Sequence, residues 1–151
     1  MKREKSFTYT IFISTTPEKL WSALTEGEHT KQYFFGREVK SEWKEGASVL
    51  FLRKGGELDV KGEVLKAEPY KLLVITWNHP EGKTEEATQV TYRLDQWNET
   101  VKFTLLHEHL TKEDFAEESK TFKGLNNGWP AILSNLKSYL ETGNTMTPMD
   151  I

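Results

Sequence analysis

The stretch FKGLNNGWPAILSNLKSYLE, residues 122–141, decides the fold. Leu125, Trp129, Ile132, Leu133, Leu136 and Leu140 recur at helical spacing, which puts them on one stripe, while Asn126, Asn135, Lys137 and Ser138 fall on the other side. This helix follows nearly all the strand-like segments, so it must lie across a finished sheet. A long helix closing over a curved antiparallel sheet leaves room for an apolar hollow between the layers. That hollow is where a function is expected.

Upstream of it the texture is that of strands. Residues 6–14 alternate, with Phe7, Tyr9, Ile11 and Ile13 against Thr8, Thr10 and Ser14. Thr16-Pro17-Glu18 then reads as a helix start, with Thr16 as N-cap and Pro17 in the first helical position. That helix turns Leu20, Trp21 and Leu24 inward and ends near Gly27; a second short one spans residues 28–34 and stops at Gly36. Val39, Ser41 and Trp43 then alternate with charges, and further strands are expected at 49–52, 60–68, 72–77, 90–94 and 101–109. Their short connections imply an antiparallel meander. The class is α+β: a curved sheet of six to seven strands, two short helices and a long C-terminal helix. One domain over residues 1–151 is expected, with a core at about 6–141 and a disordered tail at 142–151.

Composition limits the function. A chain of 151 residues buries roughly 70% of its unfolded surface. Twenty basic and 23 acidic residues give a net charge of −3 with no basic block, which argues against a nucleic-acid partner. Cysteine is absent, so disulfides, thiolate catalysis and thiolate metal sites are excluded. The basic start, residues 1–5, leads into strand alternation and not into the apolar run of a signal peptide. No apolar run approaches the ~20 residues that span a membrane. The expectation is a cytoplasmic protein without membrane insertion, cofactor or metal.

Several motifs occur together. Thr16-Pro17-Glu18-Lys19-Leu20-Trp21 is followed by Tyr33-Phe34-Phe35-Gly36, then by Gly62-Glu63-Val64-Leu65 with Pro69, and by Leu72-Leu73-Val74-Ile75-Thr76-Trp77. Leu105-Leu106-His107 and Gly128-Trp129 with Leu133, Leu136 and Leu140 close the series. In this order and at these gaps, from about Phe7 to Leu140, the chain resembles the START-like superfamily with its helix-grip fold. The branch it most resembles is the domain of the activator of the heat-shock-protein-90 ATPase. The resemblance implies an apolar cavity between sheet and long helix that holds lipids, polyketides or other small apolar molecules. The chain departs from the family at Pro130, where a helix former is usual.

The helix-facing side of the sheet should carry Val49, Phe51, Val64, Leu73, Ile75, Trp77, Val90, Tyr92, Phe103, Leu105 and His107. The candidate cavity set is Phe51, Val64, Ile75, Trp77, Val90, Tyr92, Phe103, Leu105, His107, Trp129 and Leu133; for any one of them ordinary core packing is the alternative. Pro130, with Gly128 before it, either softens the helix into a gate or sits in the first turn of a helix that begins later. Gly128 has a further alternative role, as a small residue that lets helix and sheet approach. His107 and His109 lie two apart on one strand, yet no third metal ligand is visible. They are read as one satisfied inward histidine and one exposed one, with His107 a possible polar anchor. Arg53 at the rim either meets an anionic head group or snorkels on the surface. Leu50, Leu52, Leu65, Leu72, Val74 and Leu106 fall on the other face, where together they would form a patch for a protein partner unless neighbours cover them. Three functions follow: holding a small apolar ligand, docking a protein, or cyclase- or hydrolase-like chemistry by His107 and Tyr92.

Overall fold

The computed structural model describes residues 3–146, and the expected tail from 147 onward lies outside the described residues. One antiparallel sheet has the strand order β1-β7-β6-β5-β4-β3-β2. The strands are β1 (Lys5–Ile13), β2 (Glu38–Lys40), β3 (Ser48–Leu52), β4 (Leu58–Glu68), β5 (Leu72–Trp77), β6 (Thr88–Trp97) and β7 (Thr100–Leu110). Strands β2 to β7 form a meander, and β1 returns to pair with β7 at the far edge. The connection from β1 to β2 must therefore cross the sheet, and it does so as α1 (Pro17–Thr25) and α2 (Gly27–Tyr33). The long α3 (Leu125–Thr142) completes the helical layer. This is the expected α+β helix-grip architecture. No described helix is long and apolar enough to cross a membrane.

Local chemistry sets the elements. The Thr16 hydroxyl accepts the Lys19 N–H at 3.2 Å and Pro17 opens α1, so two of the unpaired N–H groups at a helix start are dealt with. Alternation governs the faces: Val49, Phe51, Val64, Leu73, Ile75, Val90, Tyr92, Phe103, Leu105 and His107 are all buried toward the helices, and Trp77 is half-buried. From α3, Trp129, Ile132, Leu133 and Leu136 complete this core. Of the six residues of the patch expected on the other face, Leu65 is exposed and Leu50, Leu52, Leu72, Val74 and Leu106 are half-buried.

Several expectations need correction. Strand β2 ends at Lys40, because the Ser41 hydroxyl takes the Trp43 N–H at 3.0 Å and Trp43 turns to φ 54. Its indole then caps the end of α1, donating to the Thr25 carbonyl at 2.8 Å. Asn135 is buried, not solvent-facing: its amide nitrogen donates to the Tyr33 carbonyl at 3.0 Å, and its oxygen accepts the Met146 N–H at 2.7 Å. One polar side chain thereby ties α3 both to the end of α2 and to residue 146. Helix α3 begins at Leu125, after Gly124 at φ 83, so Pro130 is its sixth residue and lies beyond the first turn. A Cβ on Gly128 would meet only the Phe122 carbonyl oxygen, at 3.6 Å, so close helix–sheet approach does not require the glycine.

Candidate functional site

At the end of the sheet where β5 stops and β6 starts, the chain makes an excursion through residues 78–87. Strand β7 runs past this point, and α3 begins opposite. A pocket of about 480 Å³ lies between these elements. Its floor is Trp77, His107, Leu110 and Leu125, and its walls come from the two connections and from Arg3.

Both walls are built by side chains that stand in for secondary structure. Asn78 accepts the His79 N–H at 2.9 Å and donates to the Lys83 carbonyl at 2.8 Å, closing the first loop on itself. Gly82 must be glycine for this, since a Cβ would stand 2.2 Å from Asn78 Oδ1. Opposite, Asp114 accepts the Thr111 N–H at 2.8 Å. Asn126 at the start of α3 clamps Ala116 by a reciprocal pair, N–H to Oδ1 and Nδ2 to carbonyl, each at 2.9 Å. The connection after β7 is thus pinned beside the pocket.

A hydrogen-bond chain fixes the floor. An indole N–H can only donate, so Trp129 Nε1 at 3.0 Å makes His107 Nδ1 the acceptor. The ring proton is then on Nε2, which donates to Thr88 Oγ1 at 2.7 Å. The Thr88 hydroxyl in turn donates to the Trp77 carbonyl at 2.7 Å. Every proton in the chain is assigned, and each requires neutral His107. Burial lowers the histidine from its ordinary 6.5 to about 4, with the nearby Asp114 carboxylate pulling the other way. His107 therefore has no free lone pair for a general base, and it offers the pocket a ring edge. Burial also raises the Tyr92 hydroxyl above its ordinary range, which keeps it protonated.

Of the eleven residues proposed around a hollow, Trp77 and His107 line this pocket. Phe51, Val64, Ile75, Val90, Tyr92, Phe103, Leu105, Trp129 and Leu133 are packed behind it, each at most 4% exposed. The packing is aromatic: Trp77 lies 4.9 Å from Phe51 and 5.3 Å from Trp129, centroid to centroid, and Tyr92 lies 5.6 Å from Phe103. Phe34, which the alternation did not place inward, fills the middle against Phe51, Trp77 and Trp129. His109 points outward, because β7 carries an extra residue opposite Lys5–Phe7 and His109 adopts φ 65. The two histidines therefore do not face one another. Arg53 is paired with Asp59 at 2.7 Å, and Asp59 also meets Arg37 at 3.2 Å. The wall residues were missed: in sequence the segment from His79 to Glu85 reads only as a polar loop.

Known structures share this fold. ChR145 from Cytophaga hutchinsonii is 26% identical with a TM-score of 0.69, covering 93% of this chain and 96% of its own. CalU16 from Micromonospora echinospora is 19% identical with a TM-score of 0.70, over 95% of this chain and 78% of that one. PFC0360w, an HSP90 activator from Plasmodium falciparum, is 19% identical with a TM-score of 0.62, over 93% and 89% respectively. No curated protein sequence matches significantly. The family described as Activator of Hsp90 ATPase homolog 1-like protein matches residues 14–141, and the chain belongs to that family.

Proposed function

We propose that the chain is a cytoplasmic small-molecule binding protein, and that its apolar or ring-bearing ligand sits in the pocket at the end of β5 and the start of α3. The observation that carries this reading is the floor: His107 spends both ring nitrogens on Trp129 and Thr88, the Thr88 hydroxyl is spent on the Trp77 carbonyl, and the Trp77 and His107 rings line the pocket. A volume of about 480 Å³ falls in the range of small-molecule sites. Burial at about 25 cal/mol per Å² of apolar surface supplies the affinity, and the polar walls orient the ligand. The neutral dye phenylnaphthylamine, which brightens on burial, tests this. One-site binding is expected, and Leu125→Trp, which fills the pocket from α3, should abolish it while the circular dichroism spectrum is retained. Dye binding indifferent to Leu125→Trp, or none at all, contradicts the reading.

Gly128 and Pro130 are assigned the gate. Pro130 has no N–H to give the Asn126 carbonyl, so the first turns of α3, which border the pocket, are held by fewer helical bonds than the rest. Gly128→Ala is expected to stabilise the fold by about 0.5–1 kcal/mol, because the added Cβ would make only an ordinary contact, 3.6 Å from the Phe122 carbonyl oxygen, and alanine favours the helix. It should also slow release of the dye in stopped flow. Faster release, or destabilisation in urea, would remove the gate assignment.

A protein-docking role is favoured by a different feature. Phe12 and Trp97 are 46% and 57% exposed and pack edge to face at 6.0 Å, with Lys102 over the indole at 5.8 Å. Such an aromatic pair suits a protein contact. The family description names a chaperone ATPase as the kind of partner. Trp97→Ala should weaken any such complex without affecting dye binding.

A further inference from the structure

The pocket has an apolar floor, but its rim has a sign. Glu81, Glu86 and Asp114 stand around it against one guanidinium, Arg3. Among the described residues Arg3 reaches Glu86 alone, at 3.9 Å, and Glu86 also accepts the Lys83 N–H at 2.9 Å through its other oxygen. Asp114 uses Oδ2 for Thr111, and its Oδ1 has no hydrogen-bond partner among the described residues. Glu81 is exposed and has no hydrogen-bond or ion-pair partner among the described residues. Among the described residues that line it, three carboxylates and one cation leave the rim with a surplus of two negative charges. Of the three, Asp114 stands near enough to His107 to oppose the effect of burial on it. Trp77 adds a half-buried indole, whose face attracts cations.

We propose that this pocket selects an organic cation, with an aryl or alkyl body against Trp77, Leu110 and Leu125 and an ammonium group among Glu81, Glu86 and Asp114. This rests on the ligand-binding reading of the same pocket and adds the charge of the ligand to it. A neutral ligand leaves the surplus charge unanswered, and a carboxylate is repelled by it. The rim is open to solvent, so each carboxylate contributes modestly and the attraction weakens as salt rises.

Three compounds with one indole body separate the cases: tryptamine, tryptophol and indolepropionate, titrated by calorimetry into the intact chain. At low salt tryptamine should bind about tenfold more tightly than tryptophol, with indolepropionate weakest. The gap should narrow at physiological salt. It should also narrow in the double variant Glu81→Gln, Asp114→Asn, whose amide at 114 keeps an oxygen for Thr111. Equal affinities, or a preference for indolepropionate, would overturn the charge assignment and leave the pocket standing, provided that phenylnaphthylamine still binds. If the indoles and the dye all fail to bind, both readings fall together.

Discussion

Gly62→Ala is expected to cost about 3 kcal/mol or more in urea unfolding, the largest effect of any single methyl group added to this chain. A Cβ at Gly62 would stand 1.9 Å from the Thr76 carbonyl oxygen and 2.8 Å from its carbon. Both are backbone atoms, so no rotamer change relieves the overlap. The approach is close because β4 and β5 are drawn together on either side of it. Lys61 and Asn78 exchange two backbone bonds of 2.9 Å, and the Thr76 hydroxyl takes the Glu63 N–H at 2.9 Å in place of a ladder bond. The seam leads directly into Trp77 and Asn78, so the pocket should be disturbed with it. Gly46→Ala is the control: nothing lies within 4 Å, and its φ of +87° alone should cost about 1 kcal/mol. If the Gly62 variant proved no worse than the Gly46 one, the close seam would be disproved.

Acid should remove a similar amount of stability through one imidazole. His107 is held at about 4 in the folded protein against 6.5 ordinarily. Its folded value is depressed, so the folded state binds fewer protons than the unfolded chain between these limits. The contribution is therefore complete above pH 6.5 and is lost as pH falls toward 4, amounting to about 3 kcal/mol across the window. Protonation would set an N–H on Nδ1 against the Trp129 N–H, so the tie between β7 and α3 breaks as stability is lost. Glu141 acts in the same direction but below its ordinary 4.5, because Lys137 and the Ser14 N–H hold its carboxylate in the charged form. Denaturant midpoints between pH 7 and 5 isolate the histidine. His107→Gln should be less stable at pH 7 and nearly flat over this range. A wild-type midpoint that did not fall would contradict the neutral hydrogen-bond chain.

Much of the fold was legible because alternation is a local property. The inward set on β3 to β7 follows from counting by two, and the α3 stripe from counting by three and four. Where the chain breaks its own period, counting by two does not carry across the break. Leu65 is an extra residue in β4 that keeps Lys66 outward and lets Ala67 face Leu73. His109 plays the same part in β7. Asn135 looks like a surface residue until the Tyr33 carbonyl, far away in sequence, is brought to it.

The site divides along the same line. Trp77 and His107 were legible as inward residues near strand ends. The walls were not, since they depend on Asn78 meeting Gly82 and on Asn126 meeting Ala116. The middle of the layer was misjudged for a reason of volume. A hollow was expected under α3, but Phe34 enters from α2 and, with Phe51, Trp77 and Trp129, occupies that space. What is left for a ligand lies at the end of the layer.

Isotope-filtered NMR on bound phenylnaphthylamine asks where that seat is. Contacts from the dye to the side chains of Trp77, Leu110 and Leu125 are the expected result. Contacts to Phe103, Leu105 and Leu133 would mean that the aromatic interior parts to admit the ligand, and the strand-end pocket would lose its role.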